Sequence, residues 1–201
     1  MRLLLFSDLH CDSAAAQRLV ELGKNADVAI GAGDFGQVRR RVSVCIDVLR
    51  DMPCPTVVVP GNNESLDELR DACRGWKSVH VLHGNGVAIG GINFFGLGGG
   101  VPITPFGSWS FDFSEDDAAE LLKDFPAGGV LVSHSPPKGC LDVDGGGTSR
   151  GSTTVRDLIA TKKPALVVCG HIHASWGRQE TMSQTIVVNA GPNGMPIDLP
   201  D

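Results

Sequence analysis

The chain has 201 residues, of which 42% are hydrophobic, 20% charged and 5% aromatic, and its formal net charge is −6. This length suits one domain with a buried core, and the composition excludes disordered, collagen-like and coiled-coil chains. No run approaches the roughly 20 apolar residues of a membrane span, and the apolar stretch Leu3–Phe6 is shorter than a secretory signal requires. We therefore expect a single domain over residues 1–201, cytoplasmic and without membrane contact.

The charge pattern does not indicate a nucleic-acid groove, because phosphate contacts depend on clustered Lys and Arg. The basic run Arg39-Arg40-Arg41 falls inside a helical pattern and is interpreted as a solvated helix face. The cysteines are scattered without a CxxC pair, which argues against a thiolate-bound zinc ion or a thioredoxin-like motif. They are interpreted as small buried hydrophobes in a reducing compartment: Cys11, Cys45, Cys54, Cys73, Cys140 and Cys169.

Short apolar runs separated by amphipathic segments predict a sheet-rich protein. The predicted strands, in chain order, are Arg2–Phe6, Asp27–Ile30, Thr56–Val59, Val79–Leu82, Gly86–Ile89, Ile92–Phe95, Gly129–Val132, Ala165–Cys169 and Thr185–Val188. The segment His83-Gly84-Asn85-Gly86 has the composition of a hairpin turn.

Helix start signals lie between these strands. Asp12 and Ser13 predict a helix start, Ser65 to Glu68 is a capping box, and Ser114 precedes an acidic first turn. Two more helices are predicted over Val38–Asp51 and Ser152–Lys162. Strand–helix alternation in the first third predicts parallel pairing with helices outside, and the middle hairpins predict a second, more antiparallel layer.

Seven polar side chains directly follow five of the predicted strands. The carboxyl ends of parallel strands face a common crevice in open α/β sheets, so these side chains are expected to meet there. They are Asp8, His10, Asp34, Asn62, His134, His171 and His173. Two Gly-rich loops, Gly96–Phe113 with Trp109 and Phe111, and Ser135–Gly151, are expected to form the rims of the same site.

Oxygen and imidazole donors without thiolate suit Mn, Fe, Zn or Mg, and seven of them are too many for one ion. Asp-x-His and His-x-His are expected to place both side chains on one side of an extended segment. One Asp between two such clusters can bridge two ions. Two divalent metals ~3.5–4 Å apart favour in-line attack on phosphorus, with a water of lowered pKa as the nucleophile.

The ordered series D-x-H, G-D, G-N-x-E, H and G-H-x-H, from Asp8 to His173, resembles the calcineurin-like metallophosphoesterases. The resemblance implies an α/β fold, a four-layer α/β/β/α sandwich of two mixed sheets flanked by helices. It also implies two divalent ions, with manganese as the first expectation. One ion would be held by Asp8, His10, Asp34 and His173, and the other by Asp34, Asn62, His134 and His171, with Asp34 bridging.

The segment Ser133-His134-Ser135-Pro136-Pro137 is similar to a branch related to cyclic-nucleotide phosphodiesterases. The expected substrate is therefore a small phosphate ester, and a diester rather than a monoester. Asp34, Asn63 and His134 are the predicted catalytic residues.

Asn63 is a departure from the family pattern, in which the third motif reads Gly-Asn-His-Asp/Glu. A carboxamide donates a hydrogen bond but delivers no proton near neutral pH, so esters with poor leaving groups should suffer most. His83 as a donor and Lys138 as a phosphate contact are the compensating residues we considered, against a plain turn histidine and a solvated lysine.

Two alternatives remain open from sequence. Gly31, Gly33 and Gly36 match the G-x-G-x-x-G pattern of dinucleotide-binding proteins, although Asp34 would aim a carboxylate at the pyrophosphate. The chain could also be a non-catalytic metal-binding scaffold of the same fold, an interpretation that Asn63 favours and the full set of ligand-competent residues opposes.

Overall fold

The computed structural model describes residues 1–199 and forms two β-sheets with helices on their outer faces. The helices are α1 Ser13–Gly23, α2 Val42–Leu49, α3 Leu66–Ala72, α4 Glu115–Leu122 and α5 Thr153–Lys162. The strands are β1 Arg2–Phe6, β2 Val28–Gly31, β3 Thr56–Val58, β4 Val79–Val81, β5 Asn85–Ile89, β6 Ile92–Leu97, β7 Val130–Ser133, β8 Leu166–Cys169, β9 Arg178–Met182, β10 Thr185–Asn189 and β11 Met195–Asp198.

The two sheets share one design, with parallel strands in the middle and antiparallel strands at edges. The first sheet has the order β11-β1-β2-β3-β4, and only the β1–β11 pair is antiparallel. The second has the order β5-β6-β7-β8-β10-β9, with antiparallel pairs at both edges. The second layer is thus more antiparallel, as predicted, but only at its edges.

Alternation along β1 explains how the layers stack. Leu3 and Leu5 face the second sheet and join the core between the sheets. Leu4 and Phe6 point the other way, into a core shared with α1, α2 and α3. A third core lies between the second sheet and the helices α4 and α5. Three buried layers between four structural layers confirm the predicted α/β/β/α sandwich.

The predicted helix starts are confirmed at the level of hydrogen bonds. The Asp12 side chain accepts the amide hydrogen of Ala15 at 2.9 Å. Ser65 and Ser114 each form a capping box with the residue three positions on. Each cap satisfies amides that the first helical turn leaves unpaired, which fixes where the helix begins.

The predicted helix over Val38–Asp51 is too long at its start, because α2 begins only at Val42. Val38, Arg39 and Arg41 have φ values of 46°, 61° and 62°, in the left-handed region that a helix cannot use. The interpretation of the arginine run as a helix face is therefore wrong. It forms a loop beside the crevice.

The segment His83–Gly86 is not a hairpin turn. It carries the chain from β4 in the first sheet to β5 in the second. The hairpin lies one strand later, where Gly90 and Gly91, at φ 58° and 84°, join β5 to β6.

Strands β9 and β11 were not predicted, since Arg178–Met182 is mostly polar and Met195–Asp198 contains a proline. Both are antiparallel edge strands, where such residues are tolerated. No helix within residues 1–199 is long and apolar enough to cross a membrane. The predicted single domain stays a prediction, and residues 200 and 201 lie outside the described residues.

Candidate metal centre and its cavity

All seven predicted ligand residues lie at the carboxyl edge where the two sheets meet. Asp8 follows β1, Asp34 follows β2, Asn62 follows β3, His134 follows β7 and His171 follows β8. Each strand delivers its side chain to the same crevice, as expected from parallel pairing within each sheet.

Asp34 occupies the middle of the cluster. Its Oδ2 lies 3.7 Å from His10 Nε2, and its Oδ1 lies 3.6 Å from His134 Nε2. The carboxylate is almost wholly buried. One acidic side chain therefore faces two histidines that stand on opposite sides of it.

The outer group consists of Asp8, His10 and His173. Their ligand atoms all lie within 4.8 Å of one another. The two Nε2 atoms of His10 and His173 are 3.2 Å apart, and His173 Nε2 is 3.9 Å from Asp8 Oδ1. This convergence of two imidazole nitrogens and a carboxylate oxygen is the geometry of a cation site.

The inner group consists of Asn62, His134 and His171. Asn62 Oδ1 lies 3.2 Å from His134 Nε2 and 3.1 Å from His171 Nδ1. The Nδ1 of His134 is 2.7 Å from the carbonyl oxygen of Ala32, which can only accept, so that nitrogen donates.

This bonding tests whether the residues fit a metal ion. A neutral His134 would present the lone pair of Nε2 to Asn62 Oδ1, so that two acceptors would face each other. Burial acts to lower the pKa of His134, but the Asp34 and Asp8 charges outweigh it and raise the pKa, which favours a proton on Nε2. The Asn62 amide nitrogen is committed elsewhere, since it donates to Ser110 Oγ at 3.0 Å. The pair therefore needs either a proton or a metal cation between Nε2 and Asn62 Oδ1, and the inner group is compatible with a divalent metal.

Left-handed backbone turns bring these side chains together. Asp8, His10, Asp34 and His171 have φ values of 54°, 44°, 60° and 66°. Such conformations cost about 1–3 kcal/mol each and persist where the surroundings enforce them. The expectation that Asp-x-His and His-x-His lie on extended segments is therefore wrong. The chain turns sharply after each strand, and His173 begins a 3₁₀ turn.

Glu64 holds the turn that carries Asp34. Its buried carboxylate accepts the amide hydrogens of Asp34 and Gly61 at 2.8 Å, Gly36 at 3.0 Å and Phe35 at 3.3 Å. In the sequence this residue stood out only as part of G-N-x-E, and no role was predicted for it. The signal for such a role is a tight turn whose backbone amides have no backbone partner, because these amides need a buried acceptor such as a carboxylate.

The same contacts argue against the dinucleotide-binding alternative. Amides of the G-x-G-x-x-G segment that would bind a pyrophosphate are already bonded to Glu64. The next helix starts at Val42, six residues after Gly36, so no helix N-terminus faces the glycines.

Asn63 lies in the site and donates hydrogen bonds to both carboxylate oxygens of Asp34. Its backbone amide donates to Asp34 Oδ1 at 2.8 Å, and its side-chain Nδ2 donates to Asp34 Oδ2 at 2.7 Å. Its Oδ1 accepts the amide hydrogen of Val38 at 2.9 Å. The nitrogen end of the carboxamide thus holds the central carboxylate, and its oxygen end is bonded to the Val38 backbone.

Asp8 is held by residues that sequence reasoning missed. Its Oδ2 accepts hydrogen bonds from Ser7 Oγ and, at 3.0 Å, from Trp176 Nε1. The Trp176 ring also packs on the His173 ring, with 4.1 Å between centroids. Trp176 therefore contacts two members of the outer group, although only its position three residues after His173 could have drawn attention to it.

Burial and neighbouring charges shift the pKa values of the two aspartates in opposite directions. Burial raises the pKa of Asp8, outweighing the opposing effect of His134. Burial acts in the same direction on Asp34, but His134, His10 and the Asn63 amide outweigh it and lower the pKa.

Two neighbouring groups also have shifted pKa values. Burial, together with the nearby His134 charge, lowers the pKa of His171 to about 3. Burial, together with the Asp34 charge, raises the pKa of Glu64 to about 7. Three acids crowded at this depth call for positive charge among them.

A cavity of about 950 Å³ opens over the cluster. His10, Asp34 and His171 form part of its floor, Trp109 stands in one wall and Lys138 in another. Lys138 Nζ donates to the carbonyl oxygen of Ser149 at 3.3 Å.

The structure does not support His83 as an alternative proton donor, and it corrects one expectation about the rim. His83 does not line the cavity, because its Nδ1 accepts the amide hydrogen of Gly98 and its ring packs on Phe111 and Phe113. Phe111 likewise lies behind the wall rather than in it. Of the two aromatic residues expected to shape the pocket, only Trp109 does so.

Comparison with known proteins adds an independent finding. Residues 1–199 match a family model described as calcineurin-like phosphoesterase superfamily domain. No protein with a curated description matches the chain.

Solved structures share the fold at low sequence identity. The protein TT1561 of Thermus thermophilus has a TM-score of 0.77 at 20% identity, covering 96% of this chain and 90% of its own. The purple acid phosphatase PPD1 from yellow lupin (Lupinus luteus) seeds has a TM-score of 0.60 at 13% identity, covering 96% of this chain and 44% of its own. A hypothetical protein, also from Thermus thermophilus, has a TM-score of 0.57 at 17% identity, with coverage of 94% and 75%.

Proposed function

The chain belongs to the calcineurin-like phosphoesterase superfamily, and from that membership we propose that it hydrolyses phosphate diesters with two divalent metal ions. The observation that carries the proposal is the position of Asp34, whose two oxygens face His10 on one side and His134 on the other. A carboxylate so placed suits a ligand shared by two ions.

The proposed ligands fall into two sets that share Asp34. One ion would be held by Asp8, His10, Asp34 and His173, and the other by Asp34, Asn62, His134 and His171. The donors are nitrogen and oxygen atoms only, which suits manganese first and leaves iron, zinc and magnesium as alternatives. When bound, the pair would supply a strong positive charge for the phosphoryl oxygens and would activate a water molecule.

The chain's own residues would orient and hold this arrangement. Asn63 keeps both Asp34 oxygens in place, and Glu64 fixes the turn beneath them. In hydrolysis the water oxygen forms a new bond to phosphorus, and the ester oxygen leaves with the electron pair of the broken bond. The attacking water gives up a proton to solvent. Because Asn63 delivers no proton, the departing oxygen would leave as its anion or take its proton from solvent.

The charge of the cavity supports a diester over a monoester. Apart from histidines, its positive side chains are Lys138 and Arg150, and Arg150 Nε already donates to Asp144 Oδ2 at 2.9 Å. A diester carries one negative charge, whereas a monoester dianion carries two and needs more positive charge around it. The missing proton donor adds to this preference, since it favours esters with good leaving groups.

The test is hydrolysis of bis(4-nitrophenyl) phosphate and of 4-nitrophenyl phosphate by chelator-stripped protein, with and without Mn²⁺. We expect diester turnover that appears only with metal. Preferential monoester turnover would overturn the diester proposal. Stoichiometric metal binding without turnover of either ester would favour a non-catalytic scaffold, the alternative that Asn63 in place of the family's histidine supports.

The cysteines support a proposed cytoplasmic location rather than a secreted role. All six are unpaired, and only Cys11 is partly exposed. Buried thiols of this kind suit a reducing compartment.

A further inference from the structure

One wall of the cavity is apolar, which the metal chemistry does not explain. It consists of Val38, Pro102, Ile103, Phe106 and Trp109. Val38, Ile103 and Phe106 are among the few large hydrophobic side chains that the fold leaves exposed. Exposed apolar surface concentrated beside a polar site marks a place where a ligand is bound.

The aromatic part of this wall is a stacked pair of rings. The rings of Phe106 and Trp109 stack with 5.8 Å between centroids and 17° between planes. Two nearly parallel rings offer a face that suits another planar group better than it suits a flexible chain.

The wall is also held rigidly. The Asp112 carboxylate accepts hydrogen bonds from the Thr104 amide at 2.9 Å, Thr104 Oγ1 at 2.6 Å and Ser110 Oγ at 2.8 Å. These bonds tie together both ends of the segment that carries Phe106 and Trp109. A preformed surface binds its ligand without the entropic cost of ordering the loop.

The same bonds connect the wall to the metal cluster. Ser110 Oγ accepts from Asn62 Nδ2 at 3.0 Å, and the Phe111 amide donates to the Asn62 carbonyl oxygen at 3.0 Å. The Trp109 carbonyl oxygen accepts from Arg39 at 3.4 Å, next to Asn63. The rings and the cluster line the same cavity, so the organic substituent of a phosphate ester bound at the cluster would lie in the cavity that the rings line.

We propose that the apolar wall binds a planar aromatic group of the substrate, so that the chain acts on phosphate diesters carrying an aryl ring or a nucleobase. This inference rests on the proposed diesterase function. Aromatic stacking of a base on a protein ring contributes roughly 5- to 100-fold in affinity, which is enough to set substrate preference.

The test keeps the leaving group constant and changes the other ester. The manganese-loaded protein is assayed with the S-(2,2,2-trifluoroethyl) phosphorothiolate esters of phenyl, cyclohexyl and methyl phosphate and of thymidine 5′-phosphate. Their leaving thiol carries no ring and is followed by fluorine NMR, and each rate is divided by its uncatalysed rate. We expect kcat/KM for the phenyl or thymidine ester to exceed that for the cyclohexyl ester about fivefold or more, mainly through KM. Preference for the phenyl ester alone would identify a simple aryl group, and preference for the thymidine ester a nucleobase. Equal or faster turnover of the cyclohexyl or methyl ester would overturn the proposal.

Matched variants locate the effect. Phe106→Ala should abolish the aromatic preference, so that kcat/KM for the phenyl and thymidine esters falls to that for the cyclohexyl ester. The control is Val143→Ala, because Val143 is 47% exposed against 51% for Phe106 but does not line the cavity. If both variants behave alike, the wall is not the binding surface.

A binding measurement separates this proposal from the diesterase proposal. If no ester is hydrolysed, quenching of tryptophan fluorescence by thymidine 5′-phosphate is compared with quenching by ribose 5-phosphate in the metal-loaded protein. Tighter quenching by the thymidine compound, lost in Trp109→Phe, would keep the aromatic site and remove only the enzymatic claim. Equal affinity for both compounds would overturn the aromatic site as well.

Discussion

The two halves of the candidate metal centre use similar donors but are supported differently. The inner half includes His134, whose side chain is fully buried, whereas the outer half includes His173, whose side chain is 52% exposed. His10 of the outer half is 21% exposed. The histidine donors of the inner half therefore include one in the protein core, whereas those of the outer half lie at the cavity surface.

The supporting contacts follow the same division. His134 is bonded to the backbone of the first sheet through the Ala32 carbonyl oxygen, and Asn62 is bonded to Ser110. In the outer half, His10 Nδ1 is buried and lacks a hydrogen-bond partner among the described residues, and His173 relies on ring packing against Trp176. We therefore expect the inner ion to bind more tightly and exchange more slowly than the outer one.

The largest effect is expected where the halves meet. Asp34→Asn removes the one charge that both share, so turnover should fall by more than the ~100-fold typical of losing a residue that merely supports a ligand. Metal binding measured by dialysis should fall in both halves. Asp71→Asn, which changes an exposed acid in α3, should behave like the wild type. Loss of only one ion in Asp34→Asn would contradict a shared ligand.

The next comparison sets His134→Ala against His173→Ala. The first leaves the Ala32 carbonyl oxygen without its partner and opens a hole in the core, so unfolding in urea should require about 2–3 kcal/mol less free energy. The second removes a half-exposed ring and should change stability by less than about 0.5 kcal/mol. Each should lose one ion. Equal destabilisation would show that the halves are not supported differently.

Trp176→Phe tests the outer half alone. The variant keeps an aromatic ring beside His173 but removes the indole N–H that donates to Asp8. Affinity for the weaker-binding ion should fall about 10- to 100-fold, while the tighter-binding ion is retained. The readout is a Mn²⁺ titration of each protein, and an unchanged weaker site would mean that Asp8 does not need this bond.

The smallest effect concerns His83, which supports the inner half from behind through Gly98 and Phe111. Burial, with the Arg70 charge adding, lowers the pKa of His83 to about 4. The unfolded chain then takes up a proton near pH 6.5 while the folded chain does not until about pH 4. Stability is therefore fully present above pH 6.5 and is lost as the pH falls between these values.

Urea unfolding of chelated protein at pH 7 and pH 5 tests this. Allowing for partial solvent screening, the wild type should lose about 1 kcal/mol more than His83→Gln, which keeps an acceptor but does not titrate in this range. Equal losses in the two proteins would contradict a buried neutral His83.

The sequence predicts those features of the molecule that depend on interactions between residues close together in the chain. Caps at Asp12, Ser65 and Ser114 are examples, since each serves amides three residues away. The meeting of the seven predicted ligand residues could also be predicted, because the carboxyl ends of parallel strands face a common crevice.

What sequence could not predict depends on contacts far apart in the chain. Trp176 reaches Asp8 across 168 positions, and Ser110 reaches Asn62 across 48. The same holds for the start of α2, where left-handed residues at Val38, Arg39 and Arg41 override a good helical pattern because the loop is bonded to Asn63 and Glu68. Local pattern gave no sign of these long-range bonds.

The proposed chemistry depends on Asp34, which we propose joins the two unequal halves into one site for two ions. It is tested by titrating chelator-stripped protein with Mn²⁺ and following the titration by electron paramagnetic resonance. We predict that the first equivalent gives the signal of an isolated ion and that the second converts it to the spectrum of a magnetically coupled pair, at two ions per chain. Saturation at one ion per chain, or two ions that remain uncoupled, would contradict the shared site.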